Sequence, residues 1–258
     1  MSCWGSKTYT IETDGETEMI NPELRQSLAP TGKLRVGVYP GSPFSLTRDP
    51  VSGEEKGVAI EVGREFARQL GVPFEPVVYK RIAEVLVAIK AGQVDMTIAN
   101  ASPGRLNDYD WTSPVLVIEL GYLVLPGSAV TTITDVDRPG IRIGVTGGGT
   151  SNKVLASQFK HAAVVPAETL NMAIEMLKDH KIDAYATNKA NLYAMSDTLP
   201  GSQVLDGKWG LEHLAVALPK GRGPGLVFAN ALVEEVKANG LVKRASERTG
   251  LRGAVVAE

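Results

Sequence analysis

The run LRVGVYPGSPF, residues 34–44, decides the fold. Leu34, Val36 and Val38 alternate with other residues, the period-two pattern of a strand. Pro40, Gly41, Ser42 and Pro43 then force a loop. Downstream, apolar residues at Val58, Val62, Phe66 and Leu70 have helical spacing, and Gly71 and Pro73 supply the stop. FEPVVY (74–79) reads as the next strand, 82–89 as a helix stopped by Gly92, and VDMTIAN (94–100) as a third strand. The order β-α-β-α-β predicts a parallel sheet covered by helices.

The pattern resumes after residue 118. LGYLVL, IRIGV, AAVVP, IDAYAT and HLAVALP read as strands. TSNKVLASQF, AETLNMAIEMLKDH and GLVFANALVEEVKANG read as helices, and a short terminal helix follows. Two successive α/β units predict two lobes. With no low-complexity linker between them, strands or short loops must make the connection. Residues 1–30 are polar and acidic without clear periodicity and read as a tail.

Composition narrows the function classes. The chain has 258 residues, 43% hydrophobic and 22% charged, with a net charge of −2. That balance argues against a nucleic-acid or anionic-membrane partner by bulk electrostatics. No apolar run is long enough for a membrane span. The single cysteine, Cys3, excludes an internal disulfide framework. His161, His180 and His213 show no metal-binding spacing, so neither a metal nor a cofactor is expected. No secretory profile opens the chain, which fits a cytoplasmic protein or a mature form with its signal removed.

Three stretches are candidates for chemistry. In NASPGRLNDYDWTSP (100–114), Arg105 follows the carboxyl end of a predicted parallel strand, the edge where open α/β sheets bind ligands. A guanidinium there can grip a carboxylate bidentately, with Asn100 and Ser102 as polar neighbours. A solvated surface arginine fits the position equally, and is the commoner fate of the residue type. GVTGGGTSN (144–152) leaves a strand and enters a helix. Its glycines allow backbone N–H groups to approach an anion, or form a bare turn capped by Thr150 or Ser151. Asn188 ends another strand, either facing the same cleft or forming a turn. Glu212 and His213 form a conceivable acid–base pair, although a surface histidine is the plainer reading. No G-x-S-x-G occurs, so nucleophilic catalysis has no support.

These pieces in this order resemble the family 3 extracellular solute-binding proteins, the polar amino-acid type served by ABC importers. The resemblance covers roughly residues 31–250. It runs from LRVGVYPGSPF through GVAIEVGREFARQLGV, LVAIKAGQVDMTIA, NASPGRLNDYDWTSP, IGVTGGGTS and MLKDHKIDAYATN to AVALPKG. It implies an α/β fold of the two-lobed type II periplasmic-binding kind, each lobe a mostly parallel sheet flanked by helices. Lobe 1 would comprise 31–117 plus 220–258 and lobe 2 would comprise 118–219. A two-strand hinge near 115–122 and 214–219 would join them.

Carried over by position, the resemblance implies that Arg105 grips a ligand carboxylate, assisted by Asn100 and Ser102. Gly149, Thr150 and Ser151 would complete that site from the other lobe, and Phe44 would be the aromatic of the first loop. The chain departs from the family pattern at three points. Asn188 stands where an aspartate usually holds the ligand ammonium. Ile82 replaces an aromatic, with Arg81 beside it, and Val115 replaces a tyrosine. These departures point to a carboxylate-bearing ligand other than a standard cationic amino acid, with Glu119 as a displaced counter-charge.

The implied partners are a small carboxylate ligand and an ABC permease, and the protein is expected to act as a monomer. The implied location is periplasmic or extracellular, with Cys3 as a conceivable lipid anchor. The competing readings are an enzyme similar to the cyclohexadienyl dehydratases, which needs a general acid in the cleft, and a sensory module.

Overall fold

A computed structural model describes residues 21–49 and 51–257. In chain order the elements are α1 (Pro22–Leu28), β1 (Leu34–Val38), β2 (Thr47–Arg48), β3 (Glu55–Lys56), α2 (Val58–Leu70), β4 (Phe74–Val78), α3 (Ile82–Lys90) and β5 (Thr97–Asn100). A 3-10 turn, Pro103–Arg105, leads into β6 (Tyr109–Val124). Then come β7 (Arg142–Thr146), α4 (Thr150–Gln158), β8 (Ala163–Ala167), α5 (Leu170–Lys178), β9 (Ala184–Asn188), α6 (Lys189–Ser196) and β10 (Gln203–Val204). The chain closes with β11 (Gly210–Pro219), α7 (Pro224–Ala238), α8 (Leu241–Arg248) and β12 (Ala254–Val256).

Apart from β6, the helix and strand expectations hold with shifts of up to three residues at their ends. In α2, Val58, Val62, Phe66 and Leu70 are all buried on one face. The helix ends where Gly71 turns left-handed at φ 62°, and its amide reaches back to the carbonyls of Ala67 and Arg68. Several short elements were not foreseen, among them β2, β3, β10, α1 and β12. The expected tail at 1–30 contains α1, whose Leu28 joins the apolar core. Cys3 and the rest of that stretch to residue 20 lie outside the described residues. At the other end, β12 pairs antiparallel with β6 through Ala254–Ile118 and Val256–Leu116.

β1 and β4 pair in parallel, and Val36 bridges in parallel to Met96 just before β5. The larger sheet runs β5-β11-β6-β9-β7-β8, with β10 and β12 also on β6. Within it β7, β8 and β9 are parallel, whereas β11 and β6 run antiparallel to their neighbours. The sheet as a whole is therefore mixed, because β6 and β11 run antiparallel between the parallel strands of the two halves.

What read as a Ser-x-Pro step followed by a separate strand is one 16-residue strand, β6. It carries the chain from one apolar core to another. The first core gathers Val36, Ile60, Phe66, Ile98, Val216 and Leu232. Beyond it, Tyr122, Ile143 and Ala186 form one cluster and Leu123, Tyr185 and Leu192 a second. β11 runs back beside β6, and their register shifts on either side of Ala215.

An internal repeat underlies the two halves. LRVGV and VDMTIAN recur as IRIGV and IDAYATN. Arg35 holds Asp95 through Nε and Nη2 at 3.0 and 2.8 Å. Arg142 holds Asp183 through the same atoms at the same distances. The glycine of each first strand, Gly37 or Gly144, meets its neighbours so closely that an added Cβ would lie 2.5 Å from Val85 or 2.3 Å from Ile182. Each half thus ends its last strand on an asparagine, Asn100 in one and Asn188 in the other, both buried.

Candidate ligand-binding site

Strand ends from both halves converge on one cleft, as expected where parallel strands finish. The cleft holds about 650 Å³ of empty space, open solvent included. Of the residues singled out from sequence, Arg105, Asn100, Thr150, Ser151, Gly149, Asn188, Phe44 and Arg81 line it.

Arg105 closes the 3-10 turn after β5 and is only 8% exposed. Its guanidinium donates to the Asn100 carbonyl at 3.2 Å, and no carboxylate pairs with it among the described residues. Burial pushes its pKa below the usual arginine value, with Glu212 pulling the other way. A buried guanidinium without a counter-ion, facing a cleft, is an anion receptor by its chemistry. Trp111 Nε1 donates to the Arg105 carbonyl at 3.4 Å and helps to fix the turn.

Asn100 spans the cleft. Its Nδ2 donates to Thr150 Oγ1 at 3.2 Å, and its Oδ1 accepts from the His213 amide at 3.1 Å. The expected cap by Thr150 or Ser151 is not what forms. Gly149 occupies the N-cap of α4 with no side-chain hydrogen bond, because the Gly147–Gly149 turn brings the backbone itself to the helix start. The hydroxyl of Thr150 is thereby left to the cleft, and the first amides of α4 have no intrahelical acceptor. Across from this turn, an added Cβ at Gly147 would lie 3.3 Å from Arg81 Nη1, so the guanidinium sits close over the glycine turn. Phe44 packs edge-on to Tyr39 with centroids 6.1 Å apart, and both line the cleft.

Two expected residues fall elsewhere. Ser102 precedes the 3-10 turn and does not line the cleft; its carbonyl accepts from the Arg105 amide at 2.8 Å. Glu119, expected as a displaced counter-charge, is also outside the cleft. Its carboxylate pairs with Lys189 at 2.8 Å and Lys208 at 3.0 Å, because its position on β6 points it toward α6 and the approach to β11.

The negative charge comes from Glu212 instead. It lines the cleft at 8% exposure, and Asn188 Nδ2 donates to its Oε2 at 3.0 Å. Burial pushes the Glu212 carboxyl above its ordinary pKa, with the Asn188 hydrogen bond and Arg105 opposing that shift. The conceivable Glu212–His213 pair does not form: strand alternation buries Glu212 and exposes His213. Asn188 combines both of its readings, lining the cleft and capping α6 by accepting from the Asn191 amide at 3.1 Å.

Sequence reading missed Tyr39, Thr146, Thr169 and Thr187 as lining residues. Tyr39, Thr146 and Thr187 each lie at or just beyond the carboxyl end of a strand of a parallel pair, so the rule that found Arg105 covers them too. Glu212 also left a trace. It is in phase with Leu214, Val216 and Leu218, a lone acid on a strand's buried face. Among the described residues no group of three or more metal-ligating side chains gathers.

Comparison with known proteins agrees with this geometry. The family model for bacterial extracellular solute-binding proteins, family 3, matches residues 34–250. A probable histidine-binding protein of Campylobacter jejuni is 27% identical over 216 residues, covering 80% of this chain and 80% of the relative. The L-cystine-binding protein TcyJ of Escherichia coli K12 is 25% identical over 217 residues, covering 82% and 79%. Among solved structures, the ancestral amino acid-binding protein AncCDT-1, a precursor of cyclohexadienyl dehydratase, superposes with a TM-score of 0.76 at 22% identity, covering 86% of this chain and 97% of that one. With the two-lobed fold, the interlobe cleft and these likenesses in agreement, the chain belongs to the bacterial extracellular solute-binding proteins, family 3.

Proposed function

We propose that the protein captures a small carboxylate-bearing solute, an amino acid or an amino-acid-like organic acid, and presents it to an ABC permease. The supporting observation is the buried, counter-ion-free guanidinium of Arg105 beside Thr150 and the open amides of α4. Ligand would enter between lobe 1 (31–117 plus 220–258) and lobe 2 (118–219) and hold them closed, with β6 and β11 as the flexing strands. A monomer working outside the cytoplasmic membrane suits that role.

Lys80 and Arg81 also line the cleft, which disfavours a ligand with a cationic side chain. The test is isothermal titration with the common amino acids and small organic acids. The expected outcome is that a carboxylate-bearing member binds while arginine and lysine bind at least about 100-fold more weakly, the cost of a few kcal/mol of like-charge juxtaposition. Tight arginine or lysine binding overturns the assignment.

A second reading has one observation behind it. Glu212 is a buried carboxyl whose raised pKa suits a proton donor, as a dehydratase acting on prephenate or arogenate would need. Turnover of either compound would establish it.

A further inference from the structure

We infer that the C-terminal segment, residues 251–257, is a strap across the hinge, outside the cleft, that biases the two lobes toward their closed arrangement. This rests on the reading of two lobes flexing at β6 and β11, and adds a third, non-covalent crossing. By chain order the segment belongs to lobe 1, yet Arg252 and Gly253 meet α6 of lobe 2.

Three observations carry it. First, β6 is held on both edges where it crosses between the lobes. β11 pairs with Leu116, Val117 and Ile118 on one edge, so β12, paired with the same three residues, takes the other. β9 takes over that second edge from Leu120. The Glu119 amide donates to the Gly253 carbonyl at 3.4 Å, which carries the strap's contact past the lobe boundary. Second, Arg252 ties the two cores together. Its Nη2 donates to the Tyr193 carbonyl at 2.8 Å and to the Asp197 carboxylate, and its guanidinium lies 5.0 Å from the centre of the Tyr193 ring. On α6, Leu192 and Met195 sit in a lobe 2 core, whereas Leu251 and Val256 of the strap pack on the lobe 1 core. Third, Gly253 is shaped for this crossing. Its φ of 71° is left-handed, and an added Cβ would lie 2.7 Å from Lys189 Cβ. Lys189 directly follows Asn188, which lines the cleft, so the strap rests on α6 one residue from the cleft wall.

One arrangement of the lobes satisfies the cleft contact and the strap together. Asn100 reaches Thr150 across the cleft at 3.2 Å while Arg252 holds Tyr193 and Asp197. Opening that parts Asn100 from Thr150 turns α6, with lobe 2, against the strap, with lobe 1. Hydrogen bonds weaken steeply with distance and angle, so that rotation costs the Arg252 contacts. The strap thus favours the closed state before any solute arrives, and the apparent affinity rises with the closed fraction. The bias is modest. Arg252 and Asp197 are both exposed, so their ion pair and the ring contact together shift the open-to-closed ratio by about three- to tenfold.

The test measures the spread of distances between the lobes in ligand-free protein, by pulsed electron resonance between spin labels on Val87→Cys in α3 and Met172→Cys in α5. Both positions are exposed, and Cys3→Ser removes the other thiol. The α3 label reports on opening, because an added Cβ at Gly148 of lobe 2 would lie 3.0 Å from Ala83 Cβ near the start of α3. Arg252→Ala should raise the ratio of long to short distances about three- to tenfold. Asp197→Ala removes one of the same contacts and should shift the ratio in the same direction by less. The double variant should match Arg252→Ala, since no further contact is lost. A purely structural Arg252 would instead lower the melting temperature and leave the distances unchanged.

Unchanged distances in Arg252→Ala, a shift toward shorter ones, or an additive double variant each overturns the inference. If Arg252→Ala fails to fold, Asp197→Ala, at the exposed end of α6, makes the same comparison. The two readings fail differently. If the titration panel of amino acids and organic acids shortens the wild-type distances while the variants match wild type, the strap falls and the hinge stands. If neither the panel nor the variants alter the distances, the hinge itself falls.

Discussion

Replacing Arg105 by alanine separates binding from folding. The guanidinium is buried, spends one contact on the Asn100 carbonyl at 3.2 Å, and has its remaining donors free for the cleft. Two charge-assisted hydrogen bonds to a carboxylate, at about 1.5–3 kcal/mol each, make the clamp worth about 3–6 kcal/mol. Affinity should therefore fall by roughly 100- to 20,000-fold. Stability should respond much less. Burial already disfavours the charged guanidinium, so its removal relieves a penalty while losing the packing of the aliphatic stem. Arg105→Lys keeps the charge but not the planar fork, and should fall between the two. Calorimetry gives the affinities, and thermal melts with and without the tightest-binding amino acid give the ligand-induced shift, which should vanish in Arg105→Ala. Unchanged affinity would refute the clamp. A collapse of the ligand-free melting temperature would show that Arg105 holds the fold instead.

Gly57→Ala should damage the site from a distance: an added Cβ would lie 2.0 Å from the Ser45 carbonyl oxygen, and Ser45 Oγ fixes the Tyr39 amide at 2.9 Å beside the cleft. The expected cost is about 1–3 kcal/mol of stability, read in denaturant melts, with weaker ligand binding; a neutral result would mean that the loop gives way easily. Glu119→Gln should leave affinity unchanged, since Glu119 lies outside the cleft, and a tenfold loss would contradict that placement. Hydrogen bonds from Lys189 and then Lys208 lower the Glu119 pKa, so its stabilising contribution is present above the ordinary carboxylate range and lost as pH falls through the lowered value. The melting-temperature gap between wild type and this variant should accordingly close in acid.

Local pattern sufficed for much of the fold. The spacing of Val58, Val62, Phe66 and Leu70 has one physical solution, a helix with one buried stripe, and Gly71 followed by Pro73 can only end it. Short elements were less legible. α1 has a single buried residue, Leu28, too little for periodicity to register. β12 is three residues long and exists because β6 offers an edge to pair with, which no local signal announces.

The site divides the same way. Arg105 was within reach from sequence because the chain's order placed it after a strand whose end had to face a ligand cleft. Its burial and its lack of a counter-ion depend on what the rest of the chain packs around it. The counter-charge shows the limit most clearly. Glu119 and Glu212 are both acids on the paired strands β6 and β11; phase with Leu214, Val216 and Leu218 marks Glu212 as inward-facing, but which acid meets the cleft depends on the register. Tertiary pairing sets Glu212 opposite Ile118 and Leu211 opposite Glu119. One acid then turns inward to meet Asn188 and the other outward to two lysines. The sequence by itself determined the longer helices and strands, because those follow from side-chain period and backbone stops within a dozen residues. The tertiary structure alone decided which charges share the cleft, because that depends on side chains brought together by strands a hundred residues apart.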